Sequence, residues 1–174
     1  MSRAFVKEDA PDGVVYIPPR APLPDGAVNF VTTRGLSLLQ QEMVSLEEER
    51  ELLKKGDKHS VDRNRALTEV RGKITDLQSR IAGARVVVES EQPQDEVRFG
   101  ATVTVKTIHG GKIGLKRTFT IVGVDEADIT TMRVGYIAPI ARTIIGLKKG
   151  ESAVQMMGGK EETLEVSNIS YQAS

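Results

Sequence analysis

The chain has no cysteine and no tryptophan, and only three tyrosines and four phenylalanines among 174 residues. Without cysteine it has no disulfides and no thiolate metal sites, although that absence assigns no compartment. Histidine is nearly as scarce: His59 and His109 fall in separate predicted segments, which argues against a zinc site. Charge of one sign is not in excess either. Lysine plus arginine balance aspartate plus glutamate at 24 each, so no global field calls for nucleic acid or a membrane. No apolar run approaches the roughly 18–20 residues that span a bilayer, and Met1 to Gly13 carries charges where a signal peptide needs an apolar core. The expectation is a cytoplasmic protein. A phosphate loop is missing as well: Gly110, Gly111 and Lys112, like Gly158, Gly159 and Lys160, lack the glycine spacing and the following hydroxyl residue, and read as turns.

What is present is a pair of matched stripes. Leu36, Leu39, Met43, Leu46 and Leu53 recur at steps of three and four, interrupted at Arg50, and Leu67, Val70, Ile74, Leu77, Ile81 and Ala84 form a second series. About a dozen polar, mostly charged residues with Gly56 lie between them. Two equal helical stripes joined by a short polar tip predict an antiparallel coiled-coil hairpin, because each helix buries its seam against the other. Thr32 or Thr33 caps the first helix, which runs to about Lys55, and the second runs from about Val61 to Ala84. Before the hairpin, residues 1–28 hold five of the seven prolines, a leader that runs extended over a surface or stays partly disordered. Gly56, Gly72 and the shortness of the seams disfavour a homo-oligomeric coiled coil, so a monomer is expected.

Past the hairpin the pattern changes to strands. Val86, Val87 and Val88 mark the switch, and Thr102 to Ile108 alternates before a Gly-rich turn and a second strand over Phe119 to Val124. Pro139 opens a short helix carrying Ile140, Ile144 and Leu147. Strands over Ala153 to Met157 and Leu164 to Tyr171 complete a small antiparallel sheet with one short helix. The class is α+β, with a leader over 1–28, a hairpin over 29–85 whose tip lies near 54–65, and a sheet domain over 86–174.

Several short motifs keep their order and spacing: Val97, Phe99, Gly100 and Thr102; Ile121, Val122, Gly123, Asp125, Glu126, Ala127 and Asp128; Pro139, Ala141, Arg142, Gly146 and Gly150; and Ile169 with Tyr171. In these residues the chain resembles the C-terminal domain of the Gre family of bacterial transcription elongation factors. With Asn29, Phe30, Val31, Thr32 and Gly35 aligned to the family's entry into its first helix, the likeness spans roughly residues 28–172. The resemblance implies an FKBP-like sheet domain used for docking, and a coiled coil that enters the secondary channel of bacterial RNA polymerase. It implies docking through Pro139, Ile140 and Arg142, with the acidic Asp125, Glu126 and Asp128 facing basic polymerase surface. Ile140 reads equally as a core residue, and the acidic cluster as an exposed strand end. Where the family usually has a serine before the proline this chain has Ala138, which cannot cap the helix, a loss of about 1 kcal/mol in typical cases.

The tip departs from the family. In Gre factors paired acidic residues there help hold a second magnesium ion, so that the polymerase active centre itself hydrolyses the transcript and the factor is an accessory, not an enzyme. Magnesium wants oxygen ligands in near-octahedral geometry on a firm support. Here Gly56 and Asp57 match the start of the family pattern, but its glutamate and aromatic are missing, and the arms are shorter by several residues. Asp57 and Asp62 are the available magnesium ligands, to be shared with the polymerase. Between Lys54 and Arg65 they stand among five Lys or Arg, a net charge of +3, which repels the divalent cation they would hold. Lys54, Lys55, Lys58 and Arg63 suit phosphate contacts instead, with nucleic acid met only inside the polymerase complex. That reading makes the chain a channel inhibitor or competitor without cleavage stimulation. A solvated turn without function of its own is the plainest alternative. From another class, an FKBP-like prolyl isomerase or chaperone needs an aromatic-lined pocket, and only Phe99, Phe119, Tyr136 and Tyr171 fall in the second domain.

Overall fold

The computed structural model describes residues 15–172. Met1 to Val14, including the stretch read against a signal peptide, and the last two residues lie outside the described residues. Helix α1 spans Thr33–Lys54 and α2 spans Val61–Ala82, each 22 residues and so about 33 Å long. Thr32 is the cap: its hydroxyl accepts the Gly35 N–H at 2.8 Å, and Ser60 serves α2 through Arg63 N–H at 3.2 Å. The seam is the one the stripes define, with Leu39, Leu46, Leu67, Val70, Ile74 and Leu77 buried. Each such side chain contributes about 1.5–3 kcal/mol of burial. Helix α2 stops two residues short of Ala84 because Gly83 takes the C-cap and Ala84 opens a strand.

That strand, β2 (Ala84–Val86), pairs in parallel with β1 (Asn29–Val31), a segment the sequence reading left without structure. The two staple the entry and exit of the hairpin together, and Val31 joins the hairpin's own core. Behind them stands a five-stranded sheet of order β5-β4-β3-β7-β6, formed by β3 (Thr102–His109), β4 (Lys116–Val122), β5 (Arg133–Gly135), β6 (Ser152–Met157) and β7 (Lys160–Ser170). All its pairings are antiparallel except the short edge strand β5, which runs parallel to β4. Val103, Val105, Phe119, Ile121, Leu164 and Val166 point inward against Ala141 and Ile144 of helix α3 (Pro139–Ile144). On the other face Thr102 bonds Thr120, and Thr104 bonds Thr118, both at 2.8 Å. The β3–β4 turn requires glycine at position 110, where φ is +66° and a Cβ would lie 2.0 Å from the Glu161 carbonyl oxygen.

Hairpin and sheet meet at a junction built from three kinds of contact. Phe30, Phe99 and Tyr136 form a ring cluster with centroids 5.8 Å apart, and the Tyr136 hydroxyl donates to the Val28 carbonyl at 2.6 Å. Glu126, buried, accepts from the Thr32 hydroxyl and from Arg34 at 2.9 Å. Asp125 lies 3.4 Å from Arg80 of α2 and accepts from Arg20 at 3.2 Å. Residues 15–28 contain no helix or strand and are packed along this junction.

Candidate functional site

Two surfaces follow from this scaffold, the tip of the hairpin and the end of the sheet around α3. At the tip, Arg63 does not point at a partner. Its Nε donates to the Leu53 carbonyl at 2.7 Å, one terminal nitrogen to the Lys54 carbonyl at 3.1 Å and the other to Asn64 Oδ1 at 2.8 Å. The fork thereby adds a second donor to the Leu53 carbonyl, which also accepts the Gly56 N–H, and gives the Lys54 carbonyl a partner at the end of α1. Lys54 is taken as well, 2.7 Å from Glu51, whose carboxyl it holds below the usual range through that hydrogen bond. Lys55, Lys58 and Arg65 are exposed and make no ion pair among the described residues.

The two carboxylates at the tip are arranged differently from each other. Asp57 accepts the His59 N–H at 3.0 Å and so shapes the turn, whereas Asp62 sits in the first turn of α2, where the helix dipole favours a negative charge. The described residues contain no group of three or more His, Asp or Glu placed to hold a metal ion. The two carboxylates are separate, one of them engaged in a turn, and they stand on a tip with exposed Lys55, Lys58 and Arg65, whose charge opposes a divalent cation.

Around α3, Pro139 takes the first helical turn and is exposed, Ala138 makes no side-chain cap, and Arg142 is exposed. Ile140 is half-buried: it packs on the sheet core and also lines a groove. The acidic residues, taken together in the sequence, separate in space. Asp125 and Glu126 turn inward to the junction and are not an exposed strand end. Asp128 alone remains exposed, accepting Thr130 N–H at 2.9 Å and its hydroxyl at 2.7 Å, and the Thr130 hydroxyl holds its carboxyl below the ordinary value. It caps a 3-10 turn over Ile129–Thr131 that presents Ile129, 86% exposed, beside Met132, which adopts a left-handed conformation. Together with Val134 and Ile140 these side chains line an apolar groove of about 340 Å³, rimmed by Arg117 and Arg133. Sequence reasoning missed Ile129 and Met132; the Asp-x-Thr capping pattern at Asp128 was the available signal.

The aromatic residues of the sheet domain are committed elsewhere. Phe119 is in the core, Phe99 and Tyr136 sit in the junction cluster, and Tyr171 binds the Glu96 carbonyl and Arg98 N–H. Of these four, Phe119 also lines the groove beside α3, one aromatic ring where a prolyl amide pocket wants several.

With that geometry in hand, comparison with known proteins is informative. Residues 92–171 match the family described as "Transcription elongation factor, GreA/GreB, C-term". The transcription elongation factor GreA of Methylococcus capsulatus is 35% identical over 104 residues, and that of Hyphomonas neptunium 33% over 102; each match covers 59% of this chain and 63% of the relative. The chain thus spans a little under two thirds of the length of these curated relatives. Among solved structures, GreA factor homolog 1 of Thermus thermophilus aligns over 82% of this chain and 99% of its own, at 15% identity and a TM-score of 0.37. The GreA/GreB factor of Nitrosomonas europaea aligns over 82% and 98%, at 17% and 0.40. Residues 92–171 thus match a GreA/GreB C-terminal domain, and over 59% of its length the chain is similar to curated GreA factors.

Proposed function

We propose that the chain is a transcription elongation factor of the Gre type that binds bacterial RNA polymerase through its sheet domain and presents the hairpin to the secondary channel. The observation that carries this reading is the union of a GreA/GreB C-terminal domain with a pair of 22-residue helices ending in a small exposed tip. The docking face is the α3 end of the sheet, where Pro139, Arg142, Asp128 and the groove lined by Ile129 and Ile140 are accessible together. Asp125 and Glu126 serve that face indirectly, by holding the hairpin to the sheet domain at the junction. The factor acts as an accessory, and any hydrolysis of RNA belongs to the polymerase.

The tip supports modulation by charge better than delivery of a metal. Lys55, Lys58 and Arg65 are the unpaired cations, and a channel that handles RNA and nucleoside triphosphates supplies phosphate for them. Core polymerase retained on the immobilised chain is the first test, and Arg142→Glu is expected to weaken retention without changing the melting temperature, since Arg142 makes no side-chain contact that folding needs. Failure of the wild-type chain to retain polymerase would sink the proposal. Transcript cleavage and elongation on backtracked complexes then separate the two tip readings. Loss of effect in Lys55→Glu plus Lys58→Glu, with Asp57→Ala plus Asp62→Ala unchanged, supports the cationic tip; the reverse result returns the tip to metal delivery.

A further inference from the structure

Helix α2 contains a glycine in its interior, Gly72, where glycine has the poorest propensity of any residue but proline. No turn, bulge or positive φ requires it, and its conformation is helical. The reason lies across the surface: a Cβ on Gly72 would meet Ile17 Cδ1 at 1.9 Å and Cγ1 at 3.1 Å. The glycine is a seat for a side chain of the proline-rich leader. Three residues further along the leader, Arg20 forms a bidentate pair with Glu42 of α1 at 2.7 and 3.0 Å and at the same time donates to Asp125 of the sheet domain at 3.2 and 3.3 Å. Arg80 of α2 closes the circuit, donating to the Ala21 carbonyl and pairing with Asp125. One short segment therefore touches both helices and the domain behind them. Pro18, Pro19, Pro22 and Pro24 keep it extended and lower the entropy lost in laying it down.

We propose that residues 15–28 are an intramolecular strap that locks the hairpin at one angle to the sheet domain, with Ile17 on Gly72 as its anchor and Arg20 as its bolt. Among the described residues the side chain of Arg20 is the group that joins α1 to the sheet domain through the leader, because its two carboxylate partners lie on different bodies. The Asp125 side chain is only 9% exposed, so loss of Arg20 leaves it with Arg80 alone, 3.4 Å from an Oδ2 that accepts no hydrogen bond. Glu42 is more exposed, so the outer half of the pair weakens with salt. The strap thus makes hairpin orientation sensitive to ionic strength and to anything that competes for the leader. Only the consequence for polymerase rests on the function proposed above; the lock itself is a property of the free chain.

The test uses the full chain without polymerase, so its failure is separate from failure to bind polymerase. Because the chain has no cysteine, Lys58→Cys at the tip and Lys160→Cys on the sheet give a clean pair of sites for spin labels. One narrow distance distribution is expected in the otherwise native chain. Ile17→Ser, Arg20→Ala and Gly72→Ala are each expected to lose that single narrow distance, and Ile17→Ser and Gly72→Ala to speed tryptic cleavage after Arg20. Tyr16→Ala, on an exposed side chain of the same segment, serves as the control that leaves both readouts unchanged. Helical circular dichroism retained in all variants shows that the hairpin is folded. An unchanged distance distribution in Ile17→Ser and Arg20→Ala overturns the strap.

Discussion

Replacing Arg63 by alanine tests whether the tip of the hairpin is a built structure. The side chain is half-buried and reaches back across the tip to the Leu53 and Lys54 carbonyls, at 2.7 and 3.1 Å. Those carbonyls belong to the last turn of α1, where a positive charge also meets the negative end of the helix dipole. Hydrogen bonds from a charged donor contribute about 1.5–3 kcal/mol when buried, and water beside these two reduces the pair to roughly 1–2 kcal/mol in all. Opening of the tip should therefore become about 5–30 times more frequent in Arg63→Ala. The effect is local, since the seam from Leu39 to Leu77 stays intact, so the global melting temperature should fall by only a few degrees at most. Hydrogen exchange is the right assay: the Lys55 and Gly56 amides, bonded to the Leu52 and Leu53 carbonyls, should lose protection while the amides near Leu39 keep theirs. Arg63→Lys separates charge from shape, because an ammonium keeps the dipole interaction but cannot make the fork, and should fall between the two. Unchanged protection of Lys55 and Gly56 in Arg63→Ala, or full recovery with lysine, would refute the argument.

Other expectations follow from buried groups. Glu126→Gln keeps the shape but removes the charge that Arg34 and the Thr32 hydroxyl address; with Arg34 half exposed, a loss of about 2 kcal/mol is expected by urea denaturation, less than for a fully buried pair. Glu162 sits in a second polar knot, where the Thr107 hydroxyl holds its carboxyl below the ordinary value against the opposing effect of burial, helped by Gln155 and Arg117. Because the folded state depresses this pKa, its contribution is fully present above the unfolded-state value of about 4.3 and is lost as pH falls through the folded value. Melting temperatures followed downward from pH 5 should drop less steeply in Glu162→Gln than in the wild type, and parallel curves would dismiss the linkage.

The long elements were legible because their periodicity is local. Leu36 to Leu53 and Leu67 to Ile81 repeat on one helical face, and Thr102 to Thr107 alternates across one sheet, so burial can be read from spacing alone. Strands β1 and β5 have only three residues each, too short to carry a period, and exist because a distant partner pairs with them. Burial of charged groups was hidden for the same reason. Asp125, Glu126 and Asp128 are neighbours in sequence, yet the first two are drawn inward by Arg20, Arg80, Thr32 and Arg34, which lie far away in the chain. The Arg63 fork was equally unreadable, since a cation at a helix tip looks the same in sequence whether it faces solvent or its own backbone.

The parallel pair β1–β2 places both arms of the hairpin on a common pivot, and a pivot fixes tolerance by leverage. With arms of about 33 Å, a rocking of roughly 5° at the base carries the tip about 3 Å sideways, the length of one hydrogen bond. Placement of charged tip groups within a partner is therefore decided at Asn29, Ala84 and the contacts around them, far from the groups themselves. Substitutions at this pivot should alter what the tip does while leaving both the tip's own structure and the α3 end of the sheet intact.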